Sequence, residues 1–192
     1  MVMKRLFVAI KIEPDSVFLA YFRELKHVLR HERIKWVEEH NLHITLKFIG
    51  DTPEQSVQAI DSLLLNYAPR VAPFGYHLKG AGVFGSHYAP RVVWSGIEPF
   101  GEISATMRGL QLAFEKIGYE KERQNHVPHL TMGRISVLAD RVVFQRAIDR
   151  FSDFAGSEHK ADKMILYESI LRPEGPVYRM VNHYIFSRGV SA

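Results

Sequence analysis

Between residues 41 and 48, Leu42, Ile44, Leu46 and Phe48 alternate with Asn41, His43, Thr45 and Lys47. A period of two predicts a strand with the apolar set turned to a core and the polar set turned away from it. Similar runs at Arg5–Ile12, Ile34–Val37, Tyr76–Phe84, Arg91–Ile97, Met164–Leu171 and Val177–Phe186 also predict strands, as does the stretch PHLTMGR at 128–134. Helical spacing appears four times. It is carried by Phe18, Tyr21, Phe22, Leu25, Val28 and Leu29; by Val57, Ile60 and Leu64; by Ile103, Met107, Leu110, Phe114 and Ile117; and by Val143, Phe144, Ala147, Ile148 and Phe151.

The punctuation fits these elements. Asp15 or Ser16 and Asp140 are placed to cap the first and last helices, and Gly118 to end the third. Gly50 is expected to break the motif strand, with Thr52 capping the next helix, Pro53 at its first position and Gln55 closing a capping box. One order recurs: amphipathic helix, polar segment, His-x-Thr strand, second helix, further strand. The expectation is an α+β chain in a bilobed arrangement, two pseudo-symmetric lobes each with an antiparallel sheet and two helices. The motif strands would line a central cleft. The repeats would span about 1–90 and 91–192, within one domain of 192 residues, with strands free to cross between lobes.

Composition narrows the chemistry. The chain carries no cysteine, which removes disulfides, thiolate metal sites and a cysteine nucleophile, and fits a reducing compartment. Hydrophobic residues at 46% and charged residues at 24% are the balance of an ordinary globular protein. The apolar start of the chain is short and interrupted by Lys11, so a cytoplasmic chain with no membrane span is expected. A formal net charge of +4 mildly favours an anionic partner such as RNA.

On a strand, His43 and Thr45 share one face, and so do His129 and Thr131. If the two strands meet across a groove, the site holds two imidazoles able to exchange protons near neutral pH and two hydroxyls able to bind an oxyanion. That set suits phosphoryl transfer without a metal or other cofactor. One neutral histidine would activate water and one protonated histidine would serve the leaving oxygen. A single His-x-Thr carries little weight, because imidazoles often sit satisfied at sheet surfaces; the second copy at an equivalent place in the repeat gives the pattern its force. A metal centre is disfavoured by the absence of HExxH or a carboxylate within either motif, although Glu38, Glu39 and His40 lie just upstream of the first. No G-x-S-x-G elbow, G-x-G-x-x-G loop or Walker A sequence is present.

HITLKFIG and HLTMGR, with RLFVAI near the start, KWVEEHNLHITLKFIGD through the first motif and GPVYRM near the end, resemble the paired H-x-T-x motifs of the two-histidine (2H) phosphoesterase superfamily. The nearest resemblance is to its RNA 2′,3′-cyclic phosphodiesterase branch, also known as the 2′-5′ RNA ligase family. The resemblance implies a bilobed fold with a basic cleft. It also implies metal-independent opening of an RNA 2′,3′-cyclic phosphate end to a 2′-phosphate, with 2′-5′ joining as the reverse reaction. By the same resemblance, His43 is the proton donor to the departing 3′ oxygen and His129 the acceptor that activates water. Thr45 and Thr131 grip the phosphate. The partner implied is RNA with a cyclic phosphate end; separately, a monomer with no membrane association is expected, and no protein partner is inferred. The alternative is a noncatalytic RNA-end or nucleotide-binding module on the same fold.

Other positions carry less. Lys47 shares the alternation of His43 and could meet an RNA backbone, whereas Arg134 falls on the opposite alternation to Thr131 and needs a twist to reach a phosphate. His87 and Tyr88 could stack on a terminal base. Trp36, Trp94 and Tyr178 are assigned to packing, and His40 and His126 to loops.

Overall fold

In the computed structural model, which describes residues 2–86, 88–120, 127–173 and 175–187, β1 (Met3–Lys11) leads into α1 (Ser16–Val28). Asp15 accepts a hydrogen bond from the Phe18 amide at 2.7 Å, which satisfies one of the orphan donors at the helix start. After β2 (Arg33–Trp36), β3 (His43–Pro53) and α2 (Val57–Tyr67) come the hairpin β4 (Phe74–Ser86) and β5 (Ala89–Glu98), then α3 (Gly101–Glu115). The chain continues through β6 (Leu130–Val137), α4 (Arg141–Arg150), β7 (Ala155–Ala161), β8 (Lys163–Arg172) and β9 (Gly175–Ile185). Asp140 caps α4 by accepting from the amides of Val142 and Val143. Among the described residues, no helix is long and apolar enough to cross a membrane.

Among the described residues, the α+β expectation is met by four α-helices and one antiparallel sheet of nine strands. Its order is β7-β4-β5-β6-β3-β1-β8-β9, with β2 also paired to β6. One alternate set of strand residues, among them Leu6, Val8, Ile10, Ile44, Leu46, Leu130, Met132 and Leu166, is buried with the apolar stripes of the helices in a single core. Phe18, Phe22, Leu64, Leu110 and Phe114, all fully buried, are the helical side of that core. Burying such side chains contributes roughly 1.5–3 kcal/mol each. The opposite sheet face, which carries Phe7, Ala9, Thr45 and Thr131, lies outside the core and forms the cleft.

Three local expectations are corrected. The strand is not broken at Gly50: that residue takes a left-handed φ of 86°, and pairing with β1 runs on to Met3 opposite Pro53. Thr52 is not a helix cap, since its hydroxyl donates to the Gly50 carbonyl at 3.1 Å. Helix α2 consequently begins later than the capping box predicts. A 3-10 turn at Glu54–Ser56 intervenes, and α2 starts at Val57 without a side-chain cap. The third correction is an added strand, β7, whose sequence AGSEHKA lacks apolar alternation. It sits on the sheet edge against β4, where charged Glu158 and Lys160 discourage further strand addition.

Candidate active site

The two halves of the sheet join between β3 and β6 through the register pair Ile44–Leu130. Both residues are fully buried, and each is the central residue of its own His-x-Thr. In an antiparallel pair, the residues flanking such a bridge face one another crosswise. His43 is therefore set beside Thr131, and Thr45 beside His129, on the face opposite the core. Diagonal neighbours of this kind stand roughly 7–8 Å apart, so the two histidines flank one junction on the same face.

Two cavities open at this junction. The smaller, of about 290 Å³, includes His43, Thr45, Thr131 and Arg134 in its lining. The larger, of about 550 Å³, includes His129 with the same Thr45, Thr131 and Arg134. The hydroxyls and the guanidinium are thus common to both compartments, while each compartment has its own histidine.

Both imidazoles are anchored in the same way. His43 Nδ1 lies 2.6 Å from the Asn41 carbonyl oxygen, and His129 Nδ1 lies 2.7 Å from that of Val127. A carbonyl only accepts, so Nδ1 carries the hydrogen in each ring, and Nε2 is the atom left to exchange a proton with a ligand. His43 is also fixed by Phe7 and Tyr178, with ring centroids at 5.0 and 5.1 Å. His129 stands edge-on to Phe84 at 4.7 Å. Burial holds both imidazoles below the usual histidine range, against the opposing pull of the Asn41 and Val127 carbonyls. The positive charge of Arg134 lowers both further, and His129 lowers His43 as well. The anchoring carbonyls orient the rings, and burial favours their neutral form.

Two β-bulges decide which cations reach the cleft. In β3, Val8 pairs with Lys47 and Ala9 with Thr45, leaving Leu46 as the extra residue. In β6, Val93 pairs with Gly133 and Trp94 with Thr131, leaving Met132 extra. An extra residue reverses the face of everything beyond it. Lys47 consequently leaves the alternation of His43. It is buried at the inner wall of the larger cavity, where its ammonium donates to Gln111 Oε1 at 2.9 Å. Arg134 joins the face of Thr131, exposed and lining both cavities. The expected roles of Lys47 and Arg134 are exchanged by the same device.

Gly133 permits this geometry. A Cβ at that position would meet Ile34 Cγ2 at 2.7 Å and Trp36 Cε3 at 2.9 Å. Gly133→Ala is therefore expected to lower stability by about 1–3 kcal/mol through overpacking, read as a drop in the urea midpoint at constant m-value.

Tyr178 and Trp36 line the smaller cavity, and Trp94 stands 6.5 Å from His129, so these aromatics border the cleft as well as pack. His40, on the 3-10 turn Glu39–Asn41, also lines the smaller cavity. Tyr88 is three-quarters exposed in the β4–β5 turn and lines neither cavity. His87 and His126 fall outside the described residues. Asn41, Phe84 and Arg91 carry no local signal of a role in the site, because only the pairing of distant strands brings them to the motifs.

Known proteins resemble the chain along most of its length. Residues 10–94, which include the first motif, match the family described as LigT like Phosphoesterase. The chain is 34% identical over 188 residues to an RNA 2′,3′-cyclic phosphodiesterase of Methanocaldococcus jannaschii, covering 94% of this chain and 99% of the relative. It is 35% identical over 146 residues to the protein of that name from Methanothermobacter thermautotrophicus, covering 76% and 79%. The crystal structure of TT0787 of Thermus thermophilus superposes with a TM-score of 0.79 at 28% identity, covering 95% and 98%. An enzyme that hydrolyses phosphoester bonds is what fold and relatives together define. The chain belongs to the LigT-like phosphoesterase family, as the resemblance of its two motifs implied.

Proposed function

We propose that the protein opens 2′,3′-cyclic phosphate ends of RNA to 2′-phosphomonoesters by paired general acid and base catalysis. The observation that carries this is the crosswise meeting of the two motifs at Ile44–Leu130, which sets two carbonyl-anchored imidazoles around two hydroxyls and Arg134. His129 Nε2 takes a proton as the water oxygen bonds to phosphorus. The P–O3′ bond breaks, and protonated His43 Nε2 gives its proton to the departing O3′. Thr45 and Thr131 donate to the nonbridging oxygens, whose charge Arg134 offsets. No step requires a metal ion or other cofactor. The names of the relatives, RNA 2′,3′-cyclic phosphodiesterases, support the substrate class.

With a 5′-hydroxyl in place of water, the same base and acid would form a 2′-5′ bond to a cyclic end as the P–O3′ bond breaks. The larger cavity beside His129 exceeds what one water needs and is compatible with a second nucleoside there.

The test is to incubate the protein with an RNA ending in a 2′,3′-cyclic phosphate, with and without EDTA, and identify the monoester formed. Chelator-insensitive release of the 2′-phosphomonoester is expected. A 3′-phosphomonoester would reject the stated opening, and tight binding without product would favour a noncatalytic RNA-end module.

A further inference from the structure

Lys35 on β2 is the direct cross-strand partner of Arg134 on β6, and both side chains line the smaller cavity. Like charges placed opposite one another on neighbouring strands repel, so the sheet carries this pair at a cost. Among the described residues, neither cation has an anionic partner. Glu38 lies on the same wall, exposed, and pairs with neither. The smaller cavity is walled by Trp36 and Tyr178 and belongs to His43, the side on which the ribose of the departing O3′ would sit. Lys35 lies one strand outward from Arg134, close to the β8–β9 turn, where a Cβ built on Gly175 would stand 3.8 Å from its Nζ. Two unneutralised cations in adjacent register are a reader for two consecutive phosphates, and Arg134 is already beside the threonines.

Resting on the cyclic phosphodiesterase reading, we propose that Lys35 binds the phosphodiester on the 5′ side of the terminal nucleotide. The substrate is then a chain end, preferred over a free nucleoside 2′,3′-cyclic phosphate. Lys35 is a specificity residue here, distant from the bond that breaks.

The experiment compares kcat/KM for a dinucleotide ending in a cyclic phosphate with that for a nucleoside 2′,3′-cyclic phosphate, in the wild type and in Lys35→Gln. The ratio is expected to fall about tenfold in the variant, the scale of one charge-assisted contact, and to be retained in Lys35→Arg. The slope of log kcat/KM against log salt for the dinucleotide should flatten by about 0.7, one phosphate contact on a single strand. An unchanged ratio, or equal losses on both substrates, would overturn the proposal. Calorimetric binding of a dinucleotide 2′-phosphate reads the same contact without turnover. Should the wild type cleave neither substrate, the phosphodiesterase reading fails, while a tenfold weaker complex in Lys35→Gln would still place a second phosphate at Lys35, and equal affinities would remove it.

Discussion

Alanine at His43 or at His129 should each lower kcat/KM toward a cyclic phosphate RNA end by roughly 10²–10⁴, the usual worth of a positioned acid or base. The two losses should be far from additive in the double variant, because on the proposed mechanism the acid and base act in one transfer and either alone is stranded. Folding is the competing explanation, and the contacts separate it. His129 is partly exposed and meets Phe84 edge-on while bonding the Val127 carbonyl, so its removal should cost only modest stability. His43 packs between Phe7 and Tyr178, so some stability should be lost with it. A rate loss far larger than any fall in the denaturation midpoint is therefore the decisive signature, and wild-type turnover in either variant would reject the mechanism.

On the proposed mechanism the same pair sets a pH dependence. The base must be neutral, which fails as pH drops through its pKa, and the acid must be protonated, which fails as pH rises through its own. Both imidazoles are held below the ordinary value of 6.5 by burial and by Arg134. The bell of kcat/KM, which reports the free enzyme, should consequently peak on the acid side of that value.

The exchange of Lys47 and Arg134 shows what local sequence can and cannot carry. Helices α1 and α4 are legible because their apolar stripes and their caps, Asp15 and Asp140, are local. Each motif's His and Thr share a face because two residues of strand suffice to fix that. Beyond them, strict alternation puts Lys47 on the face of His43 and Arg134 on the other, and the bulges at Leu46 and Met132 exchange those faces, leaving Lys47 buried at the cavity's inner wall. A bulge exists only relative to a partner strand, here β1 for one and β5 for the other, so nothing within KFIG or MGR announces it. The crosswise meeting of the motifs depends likewise on a bridge between residues far apart in the chain. Strand β7 is hidden for another reason, since an edge strand of polar residues has no apolar period to detect.

Valine at both Thr45 and Thr131 should lower kcat by roughly 10²–10³, the scale of removing donors that meet charge developing in a transition state. Valine keeps the shape and β-branching of threonine, so the strands and the Ile44–Leu130 bridge should survive. What is lost is two hydroxyl donors from residues that line both cavities. The cyclic ester bears one negative charge in the ground state, and more charge gathers on its nonbridging oxygens as water adds. The hydroxyls are accordingly worth more in the transition state than in the bound substrate, which places the loss mainly in kcat and leaves KM within a few-fold. Arg134 faces both cavities and can still hold the anion in the ground state, which reinforces that division. Steady-state kinetics on the double variant decides the matter. A rise in KM with kcat preserved would mean that the threonines only bind substrate, and an unchanged enzyme would mean that the phosphate lies elsewhere in the cleft.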